Sequence, residues 1–132
     1  NLLPKNWKIL PLINVSEKKL IHSLSISKIF LSFSNFEGMG MPPIEAAISG
    51  NKVIGYIGGG GSEYWKKPIF IKVENGEIED FAKKIISNIK SYKKSWIKNT
   101  KKNRLLLSDY YSKKTEKESL ILLSNKILKF FN

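Results

Sequence analysis

The stretch from Ile29 to Tyr56 constrains the fold more than any other part of the chain. Ile29–Ser34 is apolar almost throughout, as strands buried on both faces of a parallel sheet tend to be. A polar, glycine-rich loop follows, then a short helix over about Pro43 to Ser49, which Gly50 ends as a C′ glycine. Lys52–Tyr56 is a further strand and stops at Gly58–Gly61. Strand, helix and strand in such succession predict an α/β fold with a Rossmann-like parallel sheet flanked by helices.

The flanks extend this pattern. Lys8–Leu12 reads as a strand, and Ser16 as the N-cap of a helix that buries Leu20, Ile21 and Leu24. Ile69–Val73 is a fourth short strand. Beyond Gly76 the remaining third is helical: Ile78, Phe81, Ala82, Ile85, Ile86 and Ile89 recur at three- and four-residue steps. A second helix spans about Lys93 to Tyr110, with Trp96, Ile97 and Leu105 as buried anchors, and a third runs from about Thr115 to Phe131. The length of 132 residues suits one domain. Three or four strands are few for a doubly wound sheet, and Ile121, Leu122, Leu128, Phe130 and Phe131 exceed what so small a sheet covers. With Asn1 as the first residue, these features suit a fragment of a larger unit.

Composition removes several chemistries. The chain has no cysteine and one histidine, His22, so disulfide scaffolds, thiolate zinc sites, cysteine nucleophiles and multi-histidine metal centres are excluded. That usage suits a reducing, cytoplasmic compartment. No apolar run approaches the ~18 residues of a membrane span. The net charge is +12, yet of 23 cations only Arg104 is arginine, whereas base readout and phosphate forks favour arginine. From Lys83 to Lys117 twelve cations meet only Asp109 and Glu116. A solvated helical face is the plain reading of this run, and attraction to anionic lipid, as a peripheral membrane contact, or to a phosphorylated substrate the sharper one.

The chemistry lies in Ser34-Asn-Phe-Glu-Gly-Met-Gly-Met-Pro-Pro-Ile-Glu-Ala-Ala-Ile-Ser-Gly50. This is a turn from the carboxyl end of a buried strand into a helix, the edge at which open α/β sheets bind ligands. Gly38 and Gly40 let a backbone turn tightly or approach a ligand closely, and Pro42 or Pro43 suits the first helical turn. The helix tip offers unpaired N–H groups and a positive dipole end to phosphate oxygens. Glu37, in the loop, and Glu45, in the first helical turn, stand eight apart and can face one crevice. Carboxylates accept hydrogen bonds, as sugar and ribose hydroxyls require. Taken singly, Glu45 is a dipole-complementing residue and Gly-x-Gly a common turn; the conjunction is more specific.

That conjunction resembles the retaining glycosyltransferases of the GT-B fold, in particular the large nucleotide-sugar-using family numbered four. Their C-terminal domains carry Ser-x-x-Glu-Gly-x-Gly-Leu-Pro-x-x-Glu-Ala-x-x-x-Gly. The likeness continues from Trp7 to Ser34, through Lys52–Tyr56 and the Gly-Gly-x-x-Glu loop at Gly58–Glu63, to Asp109–Tyr111. Met39 and Met41 stand where Phe or Tyr and Leu are commoner, and Asn51–Lys52 replaces a small residue and proline. The resemblance implies a catalytic Glu37 contacting hydroxyls of the transferred sugar. It implies donor binding by Glu37, Gly38, Met39, Gly40, Met41, Pro42 and Glu45, with Glu45 on the nucleotide ribose. It also implies no cofactor and no metal, a UDP- or GDP-linked sugar as donor, and a glycan or lipid-linked acceptor. An N-terminal lobe would complete the enzyme and take up the surplus apolar surface of the last helix. The family's phosphate-gripping Arg and Lys have no counterpart in Asn1–Leu12. Bacterial surface polysaccharide assembly in the cytoplasm, at the inner membrane face, is the setting that the family suggests.

Gly58–Gly61 lacks the endings of a P-loop and of a dinucleotide fingerprint. It reads as a turn beside the donor site, with Gly58, Gly59 and Gly60 as a candidate substrate loop and Glu63 as an acceptor for backbone amides there. His22 reads as a packed or surface side chain. Trp7, Trp65 and Trp96 are scattered and build no stacking ladder for single-stranded nucleic acid. Two alternatives to a transferase stand beside it: a non-catalytic module completing a separate partner chain, and a basic nucleic-acid-binding domain.

Overall fold

A computed structural model describes residues 3–36 and 38–131. Three strands, β1 (Ile29–Ser32), β2 (Lys52–Gly55) and β3 (Phe70–Lys72), form one parallel sheet in the order β1-β2-β3. Helices α1 (Glu17–Ile26) and α2 (Met41–Ile48) come before β1 and β2, and α3 (Ile78–Lys90) follows β3. Three more helices follow among the described residues: α4 (Ser95–Asn99), α5 (Lys101–Tyr110) and α6 (Lys113–Phe131).

The sheet is buried on both faces because β2 alternates between two cores. Val53 joins Leu24 of α1, Ile44, Ala46 and Ala47 of α2, and Tyr64, Trp65 and Phe70. Its neighbour Ile54 faces the other way, to Val73 and to Phe81 of α3. Ala46 and Ala47 let α2 lie close on the sheet, and neither is exposed. Ser16 caps α1 by accepting a bond from the Lys19 amide. Gly50, at φ 102°, turns the chain out of α2. Asn51 then seals the junction: its fully buried Nδ2 donates to the carbonyls of Leu24 and Ala46 at 2.8 and 3.1 Å. Arg104 of α5 reaches back to the α2 carboxyl end, donating to the Ile48 carbonyl, and also bonds the Ile97 carbonyl.

Several sequence expectations need correction. Lys8–Leu12 forms no strand and stays outside the three-stranded sheet, although its residue pattern suits one. Ile21 is exposed on α1, since α1 meets the core chiefly through Leu24 and, partly buried, Leu20. The expected Lys93–Tyr110 helix is divided at Thr100, where the backbone leaves helical angles at φ −96° and ψ 0°; its amide and its hydroxyl both still donate to the Trp96 carbonyl, at 3.0 and 2.9 Å. Leu107 and Trp96 pack on the core, whereas Ile97 and Leu105 remain exposed. Helix α6 shows its apolar side chains, among them Leu120, Ile121, Leu122 and Leu128, to solvent. Among the described residues no helix is long and apolar enough to cross a membrane.

Candidate functional site

The parallel register sets Ser32 beside Gly55, so the chain leaves β1 and β2 at the same carboxyl edge. The loop after β1 leads into α2 through Gly40, which occupies the left-handed region at φ 62° and caps the helix without a side-chain bond. Helix α2 starts at Met41, two residues earlier than expected, so Pro42 and Pro43 fill its second and third positions. Of the amides that a helix tip leaves unpaired, those two are missing. The donors left at this tip are the amides of Gly40 and Met41.

Gly38, Met39, Met41, Pro42 and Glu45 are all exposed on this one loop-and-helix segment, and Gly40 is half-buried. Glu45 is the fifth helical residue and therefore sits in the second turn, not the first. Glu37 lies outside the described residues, so the expected pairing of the two carboxylates across a crevice does too.

The loop after β2 packs directly on the motif. A Cβ on Gly60 would strike the Gly38 carbonyl, so the two backbones touch with no side chain between them. Tyr64 follows, 6% exposed, with its ring against Phe70 at 5.3 Å and Tyr111 at 5.9 Å. Its single hydroxyl proton is shared between the Met39 and Gly40 carbonyls, at 3.0 and 2.9 Å. The sequence reading missed Tyr64; its only local signal was its place directly after Glu63 in the glycine loop. Gly58 and Gly59 line a hollow of about 410 Å³ with Ser62, Lys72 and Glu74. Lys72 is ion-paired there with Glu74 at 2.6 Å.

Tyr64 also borders a second hollow of about 500 Å³, shared with Glu63, Lys66, Lys67, Phe70, Tyr110 and Tyr111. Glu63, expected to bind backbone amides, instead accepts a bond from the Tyr111 hydroxyl at 3.3 Å. Burial, and then the adjacent carboxylate, push the Tyr111 phenol up to about 12. Because the folded state holds this proton more tightly than the unfolded chain, the stabilisation is complete below pH ~10 and is lost as pH rises to about 12. Tyr111→Phe is expected to lose less stability than the parent over that window. Denaturant midpoints of both proteins at stepped alkaline pH, with phenolate absorbance as the monitor, check this; parallel alkaline losses would contradict it.

The other singled-out residues lie elsewhere. His22 is exposed on α1, and Trp65 belongs to the core. Trp7 and Trp96 gather with Tyr92 at the opposite, amino edge of the sheet, where Lys28 lies over the Trp7 ring at 5.0 Å and Lys52 over the Trp96 ring at 5.6 Å. Burial lowers the Lys52 ammonium from its usual range, while Asn88 accepts its bond at 2.9 Å. Among the described residues no three His, Cys, Asp or Glu side chains gather as metal ligands.

A family model described as "Glycosyl transferases group 1" matches residues 4–103. That span contains the three strands, α2, both glycine loops and Tyr64. Searches of curated proteins and of solved structures find no match to the chain.

Proposed function

The chain belongs to the group 1 glycosyl transferases, and from that premise we propose that residues 1–132 are one unit, part of the C-terminal, donor-binding lobe of a retaining, metal-independent enzyme of the GT-B fold. The donor is a UDP- or GDP-linked sugar and the acceptor a glycan or a lipid-linked glycan, in the cytoplasmic assembly of a bacterial surface polysaccharide. The N-terminal lobe supplies the acceptor site and covers the apolar side of α6. Nucleic acid is not a partner.

One observation carries this reading: the Gly38–Met41 backbone and the tip of α2 emerge together at the carboxyl edge of a parallel sheet, where the dipole and free amides suit a pyrophosphate. Negative charge grows on the leaving diphosphate as the glycosidic bond breaks, and pre-aimed amides stabilise it without reorganising. Glu37 holds hydroxyls of the transferred sugar and Glu45 those of the ribose. Gly58, Gly59 and Gly60 border the same site.

The test uses the full-length protein. Glu37→Ala and Glu45→Ala are each expected to weaken binding of the UDP- or GDP-sugar by about tenfold, the worth of a lost hydrogen bond to a charged group. Calorimetric titration and a transfer assay measure it. Unchanged binding and transfer in both variants would remove the proposal.

A further inference from the structure

The tip of α2 is an unusual anion seat because it is short of donors. Pro42 and Pro43 occupy its second and third positions and carry no N–H. The amides of Gly40 and Met41 remain. Both belong to peptide groups whose carbonyls, those of Met39 and Gly40, share one hydroxyl proton, that of Tyr64.

A trans peptide is planar, with its C=O and N–H on opposite sides. Among the described residues the cis bond is Lys67–Pro68, so the Met39–Gly40 and Gly40–Met41 peptides are trans. With the Met39 carbonyl turned toward Tyr64, the Gly40 N–H must point away from it. The Gly40 carbonyl fixes the Met41 N–H in the same sense. A glycine at φ 62° adopts several conformations at low cost, so these planes would otherwise turn readily. Tyr64 is itself held fast: it is buried, its ring packs on Phe70, Trp65 and Tyr111, and its amide bonds the Gly61 carbonyl at 3.2 Å.

We propose that Tyr64 is a positioning residue: its hydroxyl, by holding the Met39 and Gly40 carbonyls, aims the Gly40 and Met41 amides at the pyrophosphate of the sugar nucleotide. This rests on the donor-binding reading above. Tyr64 touches no reacting atom; it acts through the loop. Its contribution therefore appears in affinity for the diphosphate and not in affinity for the nucleoside.

The decisive variant is Tyr64→Phe in the full-length protein, which keeps the ring and removes only the hydroxyl. Titrations with UDP and GDP are compared with uridine and guanosine. The expected result is about a tenfold loss of affinity for the diphosphate that binds, with nucleoside affinity unchanged. Equal diphosphate affinity in parent and variant would overturn the role of Tyr64 and leave the donor-binding reading intact. Parallel losses for diphosphate and nucleoside would overturn it as well, since they report damage to the ring packing. A parent protein that binds neither diphosphate defeats the donor-binding reading first. Should the variant not fold, nitrogen-15 amide spectra of the parent decide: the Gly40 and Met41 resonances are expected to move on adding inorganic pyrophosphate. Binding of pyrophosphate without movement of either would refute the proposal.

Discussion

Gly60→Ala is expected to cost the full-length protein about a hundredfold in sugar transfer while leaving its unfolding midpoint nearly unchanged. The added methyl group has no room, because the Gly38 carbonyl occupies the place a Cβ would take. Something must move. Gly60 and Gly38 both lie in loops, and Gly38 is exposed, so the loops part before the sheet yields. The displaced segment is the one proposed above to present its amides to the donor. A shift of the order of 1 Å in a positioning element can cost about a hundredfold in rate. Transfer rate and denaturant midpoint, measured on the same preparation, separate the two effects. A large fall in midpoint, or transfer close to the parent's, would show that the two loops are not coupled in this way.

The second large effect concerns folding. Gly55→Ala is expected to lower stability by roughly 3–5 kcal/mol, a large share of the ~5–15 kcal/mol that a domain possesses. Gly55 sits at φ 150° at the end of β2, paired with Ser32. A Cβ there would meet the Ser32 backbone, with its carbonyl carbon at 2.8 Å and its nitrogen at 2.9 Å. The obstacle is a paired strand and cannot swing aside. Gly76→Ala provides the comparison: φ is also positive, 87°, but nothing lies within 4 Å of the added carbon. That variant should show only backbone strain, about 1–2 kcal/mol. Urea unfolding of both isolates the collision from the strain, and equal losses would mean that the β1–β2 contact is looser than described.

What was legible in the sequence was local. The apolar runs at Ile29–Ser32 and Lys52–Gly55, the Ser16 cap, the exit at Gly50 and the periodicity of α3 each follow from the chemistry of neighbouring residues, and each appears within a residue or two of its expected place. Lys8–Leu12 carries a strand-like pattern yet does not pair along the open side of β1; whether a segment reaches a sheet edge is not written in its local pattern. The division at Thr100 lies in one residue's backbone angles, φ −96° and ψ 0°, which the spacing of apolar residues does not encode. At the site, the motif announced the loop and helix, and two prolines then shifted the start of α2 and left Glu45 a turn further along. The bonds from Tyr64 to Met39 and Gly40 join residues about 25 positions apart. No spacing or periodicity encodes them; they arise because two parallel strands deliver their loops to one edge.

The placing of β1 at the rim of the sheet matters at the bench. Among the described residues β1 pairs on one side only, and its outer margin offers a row of main-chain groups beside half-buried Phe30 and Leu31. Margins of this sort template the growth of aggregates. Copies of this segment produced alone will tend to associate flank to flank as concentration rises, and a longer polypeptide that lays another strand along that margin will stay dispersed.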